Sequence, residues 1–420
     1  MRRLVVNCGQ LLTMAGPAKP RAGAQLRAAQ PVPDGAVLIE DGLVAAAGPR
    51  ETVLRDPRAA QALVLDAGGR LVLPGFVDSH SHPVFAAPRL EDFERRIKGQ
   101  GYEQIAASGG GILSTVRGVR AAGQDQLAEG LRLRAALFLS CGTTTLEAKS
   151  GYGLERDSEL KMLRAIRQAA AATPLELVAT FLGAHALPEE LRGRKQEYLR
   201  RVCEEMLPAV AAEELARFVD VFCDEGFFGV EDARGVFLAA SRAGLAAKIH
   251  AEQLSRSGAA ALALDCAAAS ADHLDLLSGE ELGSFAGSTT VACLVPGSNY
   301  FLGKPYPPAR GLIDAGAAVA LATDFNPGTC PCWDMRMILS IACTQLRLTP
   351  LEALTAATIN GAWALGLGKT HGSLEPGKQA DLACFDAEDY RELPYYFGSR
   401  PAAWTMKKGE IVHALGSLAG

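Results

Sequence analysis

The sequence predicts an α/β fold, a (β/α)8 TIM barrel with a small composite β-sandwich built from both chain ends. Three observations predict it. Through the middle of the 420 residues, eight short apolar runs alternate with amphipathic stretches, the pattern of parallel strands joined by crossover helices. Both ends break that alternation and read as strands joined by tight turns. Five of the seven histidines stand at or just beyond the end of an apolar run, and a barrel brings all those ends to one face. A doubly wound sheet is the alternative reading of the same alternation.

The opening Met1-Arg2-Arg3-Leu4-Val5-Val6 begins like a signal segment, but its apolar run stops at Asn7 and reads as a first strand. Residues 15–35, rich in Pro, Ala and Gly, read as an exposed loop. Asp41-Gly42 between two apolar runs predicts a hairpin over 36–45. A strand over 62–66 and the turn Ala67-Gly68-Gly69-Arg70 complete the N-terminal part of the sandwich, residues 1–70. The barrel, residues 71–371, takes strands over 75–82, 143–149, 176–184, 217–224, 246–252, 269–275, 288–296 and 317–324. Amphipathic patterns over 126–140, 159–172, 190–207 and 233–243 supply crossover helices. Residues 372–420 return to strands, over 380–385 and around the Lys408-Gly409 turn, as the C-terminal part of the sandwich.

Composition removes several function classes. With 49% hydrophobic and 21% charged residues, the chain is not intrinsically disordered. Its 42 Lys+Arg against 47 Asp+Glu leave a net charge of −5, so there is no basic excess to neutralise phosphates and no nucleic-acid partner is expected. No run approaches the ~18 apolar residues of a membrane span. The ten cysteines contain no Cys-x-x-Cys pair, which fits a reducing, cytoplasmic setting better than a disulfide framework or zinc ribbon.

The histidines at predicted strand ends are His80, His82, His185, His250 and His273, and Asp324 holds the same place on the eighth strand. Burying that many ionisable groups unpaired is expensive, and a metal offsets the cost. His80-Ser81-His82 is the sharpest signal, because residues two apart on a strand share a face and can grip one ion. The run Leu73-Pro74-Gly75-Phe76-Val77-Asp78 before it is too apolar for a surface strand. His250 offers a third nitrogen and Asp324 a hard oxygen. Three imidazoles and a carboxylate suit one Zn or Fe ion and are poor for Ca²⁺ or Mg²⁺.

Pro74-Gly75-Phe76-Val77-Asp78-Ser79-His80-Ser81-His82 with a strand-eight aspartate resembles the amidohydrolase superfamily. The β-rich ends, with Ile39-Glu40-Asp41-Gly42 and Glu375-Pro376-Gly377-Lys378-Gln379-Ala380-Asp381-Leu382, resemble its composite sandwich. Further pieces narrow the likeness to the branch that opens an imidazolone ring in histidine degradation. They are Gly109-Gly110-Gly111-Ile112, Glu147-Ala148-Lys149-Ser150-Gly151-Tyr152-Gly153-Leu154, Thr180-Phe181-Leu182-Gly183-Ala184-His185-Ala186, Ser270-Ala271-Asp272-His273-Leu274 and Thr323-Asp324-Phe325-Asn326-Pro327-Gly328-Thr329.

The resemblance implies a small-molecule substrate, 4-imidazolone-5-propanoate, hydrolysed to N-formimidoyl-L-glutamate, and His80, His82, His250 and Asp324 as ligands of one Zn or Fe ion. It also implies Arg89, Tyr152, His185 and Gln253 as substrate contacts. Asn326, Gly328 and Thr329 would contact substrate or product, and Tyr102 falls beside them after strand one. Arg89 can bind a propanoate tail through two parallel bonds. The rival reading is another cyclic amidohydrolase or deaminase acting on a purine, pyrimidine or triazine ring. A homodimer is the assembly considered.

The sequence leaves the proton carrier open. Related enzymes often carry His-x-x-Glu on strand five, whereas this chain has His250-Ala251-Glu252-Gln253. An amide cannot take a proton at neutral pH. Strand parity puts Glu252 on the face of His250, so Glu252 and His273 are expected to share the task, with Asp324 as the remaining candidate. Lys149 and Lys248 could in principle be carbamylated to bridge two metals, but neither lies on strand four, where such a lysine belongs.

Overall fold

The computed structural model describes every residue except 102–103, 106–107, 399–400 and 417–420. Five strands come first: β1 (Arg2–Leu11), β2 (Val32–Glu40), β3 (Leu43–Pro49), β4 (Leu63–Asp66) and β5 (Leu71–Pro74). Eight follow: β6 (Phe76–Asp78), β7 (Thr143–Lys149), β8 (Glu176–Ala184), β9 (Phe218–Cys223), β10 (Ala246–Ala251), β11 (Ser270–His273), β12 (Val291–Leu294) and β13 (Val319–Leu321). The chain closes with β14 (Leu382–Phe385), β15 (Trp404–Lys407) and β16 (Glu410–Ala414).

Strands β6 to β13 run parallel in chain order. The two outer members meet just past their ends. Ser81 bridges Phe325, the His82 amide donates to the Phe325 carbonyl at 2.8 Å, and the Asp324 amide donates to the His80 carbonyl at 2.9 Å. Below them the buried Asp78 carboxylate accepts the Thr323 amide at 3.0 Å and its hydroxyl at 2.5 Å. These bonds close the barrel and place the His80–His82 segment beside Asp324.

The chain ends form one sheet in the order β16-β15-β14-β5-β1-β2-β3, with β4 on β1. Its separate core joins Val5, Leu11 and Val37 from the start of the chain to Leu382, Trp404 and Met406 from its end. Because β5 pairs with β1 and β14, the end sheet runs to Pro74 and the barrel begins beyond Gly75. The Asp41-Gly42 hairpin forms as expected, with both residues at positive φ, +50° and +80°, the geometry that suits two twisted strands.

Residues 15–35 depart from the exposed loop expected. They include a 3₁₀ turn at Gly23–Arg27 with Leu26 buried, and β2 already begins at Val32. Asn360 ties the segment to the barrel floor: its Oδ1 accepts the Arg21 amide at 2.7 Å, and its Nδ2 donates to the carbonyls of Arg21 and Val319. The stretch over 190–207 is also more broken than its periodicity suggests. A helix at Lys195–Arg201 passes through a π turn at Val202–Met206, just before Pro208, whose ring removes an amide donor.

The barrel interior carries charge in a fully buried layer. Lys149 donates to Asp220 at 2.7 Å and lies 3.0 Å from Glu147. Lys248 donates to Glu147 at 2.8 Å and to the Ser79 carbonyl at 2.6 Å. Two ammonium groups thus stand among Glu147, Asp220 and Asp272, the pairing that buried ions require.

Candidate active site

The catalytic face begins where the strands stop. His80 and His82 follow the short β6, His250 lies in the last turn of β10, His273 ends β11, and Asp324 follows β13. The Nε2 atoms of His80 and His82 are 3.3 Å apart, and they lie 3.7 and 3.5 Å from Asp324 Oδ1. One ring nitrogen from each of His80, His250 and His273 also falls within 4.8 Å of the others. His80 belongs to both groups, so the two converge on one centre.

Buried carboxylates behind the centre set the histidine tautomers. Asp272 Oδ2 is 2.6 Å from His80 Nδ1, and Asp220 is 3.0 Å from His250 Nδ1. Each accepts a hydrogen bond from the Nδ1–H, which leaves the Nε2 lone pair of its histidine for the centre. Burial, then the charge of Lys149, lowers His80 well below the usual imidazole range, and burial also lowers His82 and His273. All three rings are therefore neutral at pH 7, as ligands must be. Burial, with the charges of Asp275 and Asp78 adding to it, pushes Asp324 well above the carboxylate range, and among the described residues His82 Nδ1 and His273 Nδ1 have no hydrogen-bond partner. A buried set of neutral imidazoles around a carboxylate, with orphaned nitrogens, fits a bound Zn- or Fe-type cation.

Beside the centre is a cleft of about 420 Å³ lined by His82, Arg89, Tyr152, His185, His250, Gln253, His273, Asp324, Asn326 and Thr329, with Phe222, Phe227 and Ile112 as apolar wall. Arg96 and Lys304 add cations, and Asp324 is the one acid among the described residues of this lining. The Arg89 Nε is buried without a hydrogen-bond partner among the described residues. Gly328 permits that placement, since a Cβ there would stand 2.0 Å from the Arg89 guanidinium carbon. Asn326 folds the loop back: its Oδ1 accepts the amides of Gly328 and Thr329 at 2.9 and 2.7 Å.

His185 stacks on His82 with ring centres 5.2 Å apart, and its Nδ1 sits 2.9 Å from the Gly151 carbonyl. A carbonyl only accepts, so Nδ1 carries the proton and Nε2 is an acceptor. Burial, then His250, pushes His185 down to about 3, which keeps it neutral. Tyr152 packs against it at 5.3 Å.

The structure brings together most of the residues singled out from sequence, and Glu252 and Gly328 depart from the lining. Strand β10 ends at Ala251, and Glu252 takes a positive φ of +48°. That turn breaks the alternation behind the parity argument. Glu252 is fully buried with its Oε2 accepting the Ala260 amide at 2.9 Å, and burial raises it to about 7. Gln253 reaches the cleft in its place, its amide held by Asp224 at 3.1 Å. Gly328 supports Arg89 from behind and is not part of the lining. Tyr102 lies outside the described residues.

Sequence reading passed over Asp220 and Asp272, which orient His250 and His80, and Asp224, which holds the backbone amide of Gln253. A signal for the first two was present. Each is the lone acid of a barrel strand, Phe218–Cys223 and Ser270–His273, all of whose residues are buried, and charges are almost never buried there unpaired.

The amidohydrolase family model matches residues 71–412. The chain is 48% identical to the imidazolonepropionase of Solibacter usitatus, over 97% of this chain and 98% of that protein. It is 47% identical to the imidazolonepropionase of Symbiobacterium thermophilum, over 97% and 96%. The chain belongs to the amidohydrolase family, in its imidazolonepropionase branch. Among solved structures, a triazine hydrolase variant is similar with a TM-score of 0.78 at 18% identity, over 99% of this chain and 97% of that one. The guanine deaminase of E. coli gives 0.72 at 17%, over 99% and 100%. These likenesses carry the amidohydrolase fold.

Proposed function

We infer that the chain hydrolyses the ring amide of 4-imidazolone-5-propanoate to N-formimidoyl-L-glutamate, the step in histidine degradation that its relatives' name denotes. One observation carries the reading: a half-buried arginine, Arg89, whose buried Nε has no hydrogen-bond partner among the described residues, in the same cleft as a histidine–aspartate centre. Arg89 recognises the propanoate carboxylate through charge-assisted bonds, which a neutral purine or triazine ring does not need.

His80, His82, His250 and Asp324 would hold one Zn or Fe ion per chain. When bound, such an ion lowers the pKa of a water from ~15.7 towards ~7 and polarises a carbonyl oxygen. The protein residues do the rest. His185 Nε2 accepts a ring N–H, and Tyr152, Asn326, Thr329 and Gln253 complete the lining that orients the ring. A ring nitrogen of His273 takes a proton from the attacking water and returns it to the leaving ring nitrogen as the amide C–N bond breaks. The water oxygen stays on the former carbonyl carbon, which becomes a second carboxylate as the water's other proton passes to solvent. Asp324 serves as a ligand in this scheme and Glu252 takes no part. Lys149 is disfavoured as a charge by burial, but Asp220, Glu147 and Asp272 outweigh that and keep it an ammonium. A charged amine does not accept carbamylation, so the residues favour a single-ion centre.

No helix among the described residues is long and apolar enough to cross a membrane. The ten cysteines are unpaired thiols, which supports a reducing cytoplasm as the setting. A homodimer is the expected assembly, and the mass in solution tests it. The reaction itself is tested by the loss of imidazolonepropanoate ultraviolet absorbance on incubation with purified protein. No loss beyond a metal-free control rejects the substrate.

A further inference from the structure

The loop after β7, residues 150–154, carries Tyr152 and supplies the carbonyl that fixes His185, yet its own order comes from elsewhere. Glu159, fully buried in the helix Arg156–Ala170, reaches back beneath it. Its Oε1 accepts the Gly153 amide at 2.7 Å and the Leu154 amide at 2.9 Å, and its Oε2 accepts the Gly151 amide at 3.0 Å. The Ser150 hydroxyl adds a further bond. Four donors from five consecutive residues thus converge on one carboxylate. Gly151 at φ +103° turns its amide to Glu159 and its carbonyl to His185, 2.9 Å away. A Cβ at Gly151 would stand 3.0 Å from the His185 ring nitrogen.

We propose that Glu159 is a positioning residue for substrate binding: it holds the 150–154 loop so that the Gly151 carbonyl fixes the His185 tautomer and Tyr152 stays against that ring. Only a carboxylate meets the requirement, because every partner is a donor and each of its oxygens can accept more than one. A glutamine turns an NH₂ group onto N–H donors, and the loop must move to relieve it. The tautomer follows. With Nδ1 no longer held to the carbonyl, the proton redistributes between the two ring nitrogens, and Nε2 ceases to be a dedicated acceptor. Among the described residues the hydrogen bonds of Glu159 go to the loop and to none of His80, His82, His250 and Asp324, so the metal stays.

The role in catalysis rests on the function proposed above, but the tautomer is measurable without substrate. In wild-type protein labelled with ¹⁵N-histidine, His185 should show a protonated Nδ1 and a bare Nε2. Glu159→Gln should shift both signals towards a mixture, raise KM at least tenfold, leave kcat within about threefold and keep the metal content. Glu159→Asp keeps the charge with a shorter reach and should fall between the two. It also provides both readouts if the glutamine variant does not accumulate as folded protein. Unchanged His185 signals and KM in a variant whose Tm has fallen would overturn the proposal, since a purely structural residue moves Tm alone. A Glu159-dependent tautomer in a protein inert towards imidazolonepropanoate would sustain the positioning role and reject the substrate.

Discussion

The two sides of the cleft are built differently. On the metal side, His80, His82, His250 and Asp324 stand at or next to barrel strand ends, and the barrel's own interior charges brace two of them: Asp272 behind His80 and Asp220 behind His250. On the substrate side, Arg89, Tyr152 and Gln253 stand on loops past the strands, and His185 immediately after one. Acceptor side chains hold them there, Glu159 from the following helix under residues 150–154, Asp224 under Gln253 and Asn326 under Gly328 and Thr329. The difference teaches where strand geometry stops governing side-chain direction. Within a ladder, alternation decides it. Past the ladder, one residue at positive φ redirects everything that follows, and Glu252, His273 and Asp324 all take such values, at +48°, +76° and +52°. Backbone strain of that kind gathers at functional sites when the surroundings enforce it.

The metal side should break hardest. His80→Ala and Asp324→Ala each remove a ligand from the shared centre, so elemental analysis should find less than a tenth of the wild-type metal, with activity lost in proportion. Asp272→Asn should keep the fold but weaken metal affinity ~10–100-fold, the usual effect of removing a carboxylate behind a ligating histidine. A metal content of two per chain in the wild type, or Asp272→Asn with unchanged affinity, would break the claim that the barrel charges serve one ion.

His273 belongs geometrically to the metal side and chemically to neither. Substituting it with asparagine should leave the metal in place and lower kcat ~10²–10⁴-fold, the range for loss of a general acid–base group. If the metal departs with it, His273 is a ligand and the two overlapping histidine groups need a new division.

Arg89 probes the substrate side. Arg89→Met removes a charge-assisted contact of ~1.5–3 kcal/mol, which corresponds to about tenfold to over a hundredfold in kcat/KM, expressed mainly in KM. Turnover of a neutral cyclic amide should change little in the same variant. Equal losses on both substrates would place the carboxylate elsewhere in the cleft.

How much was legible follows the same divide. The eight parallel strands, the end sheet and the gathering of His80, His82, His250 and Asp324 at one rim were readable because period-two alternation and a His-x-His pair carry them locally. β7 and β8 run over the very residues that their apolar runs mark. Strands β6, β11 and β13 stop short of theirs because the site takes the last residues out of the ladder. The buried plug around Arg21 was not readable, because Asn360 and the carbonyl of Ala317, which hold it, lie more than 290 residues along the chain. Nor was the inward turn of Gln253, which depends on Asp224 across a neighbouring strand end.

Glu252 gives the smallest expected effect and the sharpest test of the comparison. Parity alone makes it a proton carrier beside His250, and then Glu252→Gln should cost ~10²–10⁴ in kcat. The structure sends the side chain the other way, to the backbone amide of Ala260, outside the cleft lining. Glutamine retains an acceptor for that amide, so kcat should stay within about threefold and the metal content should not change. Stability should fall slightly, because the new NH₂ group meets a buried spot where Oε1 has no hydrogen-bond partner among the described residues, at a cost of ~1 kcal/mol and a Tm lower by a few degrees at most. A hundredfold fall in kcat with the metal retained would show that the chain beyond Ala251 swings Glu252 inward during turnover. The rule that parity ends with the ladder would then hold only for the resting enzyme.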